Sequence, residues 1–120
     1  MDREILVENR LALDWPGLNF PGGHVKDNES IEESAIREIK EETGLDVFSL
    51  EEMGHFEWNE PKQGVRHLAM LFRSKDFKGK TVSSTEGPIF WVRAKDIGDY
   101  KQSVDFDKLV RIMTAGLEGF

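Results

Sequence analysis

Glu38, Glu41 and Glu42 stand at i, i+3 and i+4. On a helix these positions share one face within an arc of about 100°. Three like charges so close repel one another and weaken an isolated helix. What reconciles them is a countercharge, and the obvious candidate is one or more divalent cations. Carboxylates are hard oxygen donors and select Mg²⁺, with Mn²⁺ as a substitute, rather than zinc. Zinc is further disfavoured because the chain has no cysteine and its three histidines, His24, His55 and His67, are not spaced as a ligand pair. The simple competing reading is a solvated acidic face, the usual fate of a charge run.

These carboxylates need a helix to aim them. Ser30-Ile-Glu-Glu33 is a capping box, and Gly44 is a stop signal, so the spacing predicts a helix over residues 31–43. Ile31, Ala35 and Ile39 form an apolar stripe that would seat it on a sheet. Pro21-Gly22-Gly23 is a break at which backbone can approach a ligand closely. Strands are expected over residues 4–8, 46–58, 66–74 and 88–92, with turns at 15–17 and 77–80 and a hairpin-like loop at 59–64. The run Leu68-Ala-Met-Leu-Phe72 reads as a buried strand. A second helix is expected over 106–115, with Phe106, Leu109, Val110 and Met113 on one stripe. Strands interleaved with two helices make an α+β fold, an α/β/α sandwich with a mixed sheet between helices.

The chain of 120 residues fits one domain, 1–120, with one core. No apolar run is long enough to span a bilayer and no signal-peptide pattern opens the chain, so no membrane partner is expected. The absence of cysteine fits a reducing compartment, and the expected location is cytoplasmic. A net charge of −7 argues against a hold on long nucleic acid, which needs a basic surface. It does not argue against a small phosphorylated ligand, because bound metal inverts the local charge logic.

Gly23, Glu29, Arg37, Glu38, Ile39, Glu41, Glu42, Gly44 and Leu45 fall at every position of the Nudix box. On these residues the chain is similar to the Nudix hydrolase family. Phe20-Pro-Gly-Gly23 resembles the entry to the box in MutT-type members, which act on 8-oxo-dGTP. Arg66-His67 and Glu86-Gly-Pro-Ile-Phe-Trp91 resemble later segments of the same members. In one respect the chain departs from them. Only residues 1–3 precede the strand at 4–8, so the first strand of the family is missing or replaced. A missing strand would leave an unpaired edge and invite a homodimer.

The resemblance implies roles. Glu38, Glu41, Glu42, Glu86 and the backbone carbonyl of Gly22 would hold the metal. Glu38 or Glu86 would take the proton of the attacking water, and Arg37 would hold the glutamates in place. Glu29 would be structural or lie in the outer sphere of the metal. Arg10 and His24 would face phosphates, and Asn19, Phe20 and Arg66 would line a purine pocket, although Phe20 reads equally well as core. Trp15 and Trp58 would flank that pocket or simply pack. Asp105 or Asp107 lies where the family carries a purine-reading asparagine. The reaction implied is Mg²⁺-dependent hydrolysis of a nucleoside diphosphate linked to another group. An intact or oxidised (d)NTP such as 8-oxo-dGTP would give the monophosphate and pyrophosphate. ADP-ribose, a dinucleoside polyphosphate or an RNA 5′ end are the alternatives within the family. A nucleotide-sensing domain without catalysis is a further one, opposed by the intact set of glutamates.

Overall fold

The computed structural model describes residues 3–11, 16–60, 62–83 and 85–118. Trp15, expected near the pocket, lies outside them. The strand foreseen at 4–8 extends through β1 (Glu4–Arg10). It is followed by β2 (Gly17–Asn19), helix α1 (Ile31–Thr43), β3 (Asp46–Val47), β4 (Glu51–Glu60), β5 (Val65–Arg73), β6 (Phe77–Lys78) and β7 (Ile89–Arg93). A 3₁₀ helix (Ala94–Asp99) and helix α2 (Phe106–Met113) complete the order. The architecture is the expected α+β one, but the sheet is divided into three small sheets: β2-β1-β7, β3-β6 and β4-β5. Every named strand pair is antiparallel. The parallel element of the sheet is the bridge between Leu18 and Gln102.

The edge anticipated beside β1 is filled along Glu8–Arg10, which pair with Asn19–Gly17 of β2. Arg10 pairs with Gly17 on one side, and Glu4 through Glu8 pair with Arg93 through Ile89 on the other. The outer side of β2 is covered in turn, with the Leu18 N–H on the Lys101 carbonyl (2.8 Å) and the Ser103 N–H on the Leu18 carbonyl (3.0 Å). This extended segment leads directly into α2, whose Phe106 enters the core with Val7, Leu18 and Val92. Ile5, Phe20, Phe90, Ile97 and Val110 pack around that nucleus.

Three sequence expectations are modified. The long strand expected at 46–58 is broken into β3 and β4, and the turn expected at 77–80 contains β6, which pairs with β3. The run Leu68–Phe72 is not buried: Leu68 is 59% exposed, and its neighbours are half-buried. The reason is that β4-β5 is a two-stranded hairpin, so only one of its faces has α2 to pack against. On α1 the fully buried residues are Ser34 and Thr43, while Ile31 is 42% exposed. At about 100° per residue, Ser34 and Thr43 bracket an arc that contains Glu38, Ala35, Glu42 and Ile39. The inward arc of the helix therefore carries two carboxylates, not an apolar stripe alone.

Candidate metal centre

Helix α1 has the bounds its local chemistry dictates. The Ser30 hydroxyl accepts from the Glu33 N–H (3.0 Å) and the Glu33 carboxylate accepts from the Ser30 N–H (3.1 Å), a complete capping box. Gly44 ends the helix at φ 83°, its N–H on the Lys40 carbonyl. The helix is thereby fixed in register, and Arg37, Glu38, Glu41 and Glu42 come to the site together.

Arg37 organises one side of it. Its Nε and Nη2 donate to the two carboxylate oxygens of Glu29 (3.0 and 2.8 Å). Its Nη1 donates to Glu38 (2.8 Å) and Glu41 (3.1 Å), and Nη2 also reaches the His24 carbonyl (3.0 Å). The forked guanidinium thus ties the loop before the helix to two of the helix carboxylates, a geometry that an ammonium cannot reproduce. The fork holds the Glu29 carboxyl down at about 2, aided by the Lys26 N–H. Arg37 is in turn held more firmly protonated, first by Glu29 and against the opposing effect of burial.

The glycine loop makes the other side. A Cβ at Gly23 would overlap the Glu38 carboxylate, so any other residue there would push that carboxylate aside. The Gly22 N–H donates to Glu42 Oε2 at 3.0 Å. It is thus the Gly22 amide that is seen at the site, whereas the resemblance implied its carbonyl.

Glu42 then meets two carboxylates from distant parts of the chain. One oxygen each from Glu8, Glu42 and Glu86 lie within 4.8 Å of one another. Glu86 arrives because its segment is laced to the end of β1: the Leu11 N–H donates to the Glu86 carbonyl (3.1 Å) and the Asn9 N–H to the Pro88 carbonyl (2.9 Å). Gly87 permits that lacing, since a Cβ there would overlap the Asn9 carbonyl. Burial, then the charge of Glu8, then those of Glu86 and Glu38, push the Glu42 carboxyl up to about 7 against the opposing Gly22 hydrogen bond. Glu38, Glu41, Glu42, Ser83, Thr85 and Glu86 line a cleft of about 420 Å³.

This donor set fits a hard divalent cation. It is all oxygen, partly desolvated and dense in negative charge, and a cation would relieve the repulsion that raises Glu42. Glu8 was not singled out by sequence reasoning. A glutamate closing a short strand carries no local signature. Only its tertiary neighbours mark it, although a charged residue directly after Ile5-Leu6-Val7 is a weak signal.

Arg10 ends β1, one residue before the Leu11 contact to the Glu86 segment. His24 is exposed, and its carbonyl is held by Arg37. The Asn19 side-chain oxygen accepts from the Phe20 N–H (2.8 Å). The Phe20 ring lies 5.0 Å from that of Phe106 and belongs to the core periphery. Arg66 is 75% exposed and pairs with Glu57 (2.8 Å). Trp58 stacks on its cross-strand neighbour His67 at 4.9 Å, a packing contact within the hairpin. Asp105 and Asp107 pair with Lys108 and Arg111 at the start of α2.

Residues 2–111 match the family model of the NUDIX domain. The chain is 34% identical over 127 residues to a protein of Bacillus subtilis (strain 168) named "Putative 8-oxo-dGTP diphosphatase", covering 96% of this chain and 82% of that one. It is 37% identical over 76 residues to YtkD of the same organism, named in the same words. That match covers 62% of this chain and 48% of YtkD, so the chain aligns with about half of that relative. An RNA pyrophosphohydrolase of Hydrogenovibrio crunogenus is 26% identical over 140 residues, with 92% and 85% covered. Among solved structures, the MutT protein of Bacillus halodurans superposes with a TM-score of 0.75 at 25% identity, covering 89% of this chain and 71% of that one.

Proposed function

The chain belongs to the Nudix hydrolase family, and on that premise we propose that it hydrolyses an oxidised purine (d)NTP such as 8-oxo-dGTP to the nucleoside monophosphate and pyrophosphate. One observation carries the reading. The carboxylates of the box helix are brought together with Glu86, far away in sequence, at one cleft. The choice of substrate is supported by the 34% identical relative, whose match covers most of both chains.

Mg²⁺ would be held by Glu38, Glu41, Glu42, Glu86 and the Gly22 carbonyl, and would supply charge neutralisation for the phosphate oxygens and a more acidic attacking water. The residues do the rest. Glu38 or Glu86 accepts the proton of the water that attacks phosphorus. Arg37, anchored by Glu29, keeps Glu38 and Glu41 in place. Arg10 and His24 neutralise phosphate oxygens remote from the attacked atom. Asn19, Phe20 and Arg66 receive the base, with Phe20 offering an edge of the core rather than a free stacking face.

The test is turnover of a nucleotide panel with Mg²⁺ by wild type and Glu42→Gln, with products identified after reaction in ¹⁸O water. The label distinguishes attack at the α from attack at the β phosphorus. Preferential release of pyrophosphate from 8-oxo-dGTP, abolished in Glu42→Gln, is the expected result. A variant with wild-type rates would remove the metal assignment. A second reading, removal of pyrophosphate from an RNA 5′ triphosphate, is favoured by the Hydrogenovibrio relative. It would replace the first if 5′-triphosphorylated RNA were turned over faster than any mononucleotide.

A further inference from the structure

The family resemblance assigns no role to the first strand's glutamate, yet Glu8 is 2% exposed and stands among the site carboxylates. We infer that Glu8 is a direct ligand of the divalent cation held by Glu42 and Glu86, closing the site from the side of the sheet. The inference rests on the Nudix reading of that site and adds to it a ligand outside the box and the later loop.

Three observations carry it. The first is separation. The oxygens of Glu8, Glu42 and Glu86 are all within 4.8 Å of one another. The centre of a triangle with sides of 4.8 Å lies about 2.8 Å from its corners, so an inward movement of at most about 0.7 Å per carboxylate puts all three at about 2.1 Å from one Mg²⁺. The second is fixation. Glu8 pairs with Asn19 of β2 and Ile89 of β7, so its backbone is held from both sides. The residues after it are hydrogen-bonded to the Glu86–Pro88 segment, so the spacing between Glu8 and Glu86 is set by the backbone. Glu42 is held from a third direction by the Gly22 N–H. A site built on a central strand, a helix and a laced loop is preorganised for an ion rather than assembled by it. The third is charge. The Arg37 hydrogen bonds go to Glu29, Glu38, Glu41 and the His24 carbonyl. This guanidinium is therefore engaged by other carboxylates, while the buried Glu8 carboxylate, beside the half-buried Glu42, is one whose charge a bound cation would stabilise.

The purely structural alternative is that Glu8 is a buried polar residue that stabilises the β1 end of the sheet. The two are separated by binding of Mn²⁺ without nucleotide, followed by the loss of the free-ion electron paramagnetic resonance signal. Wild type, Glu8→Gln, Glu8→Asp and Glu42→Gln are compared, with the metal-free Tm of each. Glu8→Gln should weaken the tightest Mn²⁺ site at least tenfold and shrink the Mg²⁺-induced rise in Tm, without lowering the metal-free Tm. Glu8→Asp keeps the charge and shortens the reach, so it should lie between Glu8→Gln and wild type. It also carries the test if the glutamine variant does not fold. Wild-type Mn²⁺ affinity in Glu8→Gln, or in Glu8→Asp if that alone folds, overturns the inference while a weakened Glu42→Gln leaves the Nudix site intact. Unchanged Mn²⁺ binding in Glu42→Gln as well overturns both.

Discussion

At the scale of single residues, Arg37 does the work that the resemblance implied only in outline. It joins Glu29, Glu38, Glu41 and the His24 carbonyl through one planar fork. Lysine cannot serve four partners at these angles. Arg37→Lys should therefore fold and bind nucleotide but lose about 10–100-fold in kcat, the usual cost of disturbing the group that orients metal ligands. Steady-state kinetics at saturating Mg²⁺ checks it, and a wild-type kcat would show that the fork is dispensable. The box made Arg37, Glu38, Glu41 and Glu42 legible because their meaning lies in a fixed spacing. Glu8 was not legible, because its meaning lies in contacts with residues far from it in the chain. Motif position marks Arg66 and Phe20 for a purine pocket, and only the structure reveals that Arg66 pairs with Glu57 and that Phe20 packs on Phe106.

At the scale of elements, what holds α1 and what positions its carboxylates are separable. Ser30→Ala removes half of the capping box and should cost about 1 kcal/mol of stability with kcat/KM unchanged, read by denaturant melts and kinetics on the same sample. Gly23→Ala should do the opposite. The Cβ would collide with the Glu38 carboxylate, so the fold persists while Glu38 is pushed aside and turnover falls by at least tenfold. Equal activity in Gly23→Ala and wild type would mean that the loop yields freely. Both ends of α1 were readable because caps are written in adjacent residues: Ser30 with Glu33, and Gly44 after Thr43. The burial of its faces was not. The stripe of Ile31, Ala35 and Ile39 obeys helical periodicity, but the surface facing α1 accepts carboxylates, and which surface faces it is a tertiary fact. The same holds for β5, where an apolar run cannot announce that its sheet has only two strands.

At the scale of the whole molecule, the crowded carboxylates make stability depend on pH and metal together. The Glu42 carboxyl is raised to about 7 from an ordinary 4.5. Its contribution to metal-free stability is therefore fully present below about pH 4.5 and is lost as pH rises through about 7. Glu29, lowered to about 2, has the opposite sign: its contribution is present above about pH 4.5 and fades as pH falls toward 2. The two windows do not overlap, so they can be read separately. In chelator, stability should fall between about pH 4.5 and 7 by on the order of 2 kcal/mol after allowance for solvent screening, and the wild-type Tm should fall with it. Mg²⁺ binds the ionised carboxylates and only the folded chain assembles them, so it should raise Tm by mass action and most strongly above pH 7. Its presence should cancel or reverse the decline. Glu42→Gln should flatten the metal-free profile over the same range and lose most of the Mg²⁺ effect. Calorimetric scans of both proteins at stepped pH, with chelator and with Mg²⁺, decide the matter. If wild type and variant show the same slope in chelator, the repulsion around Glu42 is not what the site stores. The case for a cation as its natural countercharge would then lose its energetic basis, whatever the kinetics show.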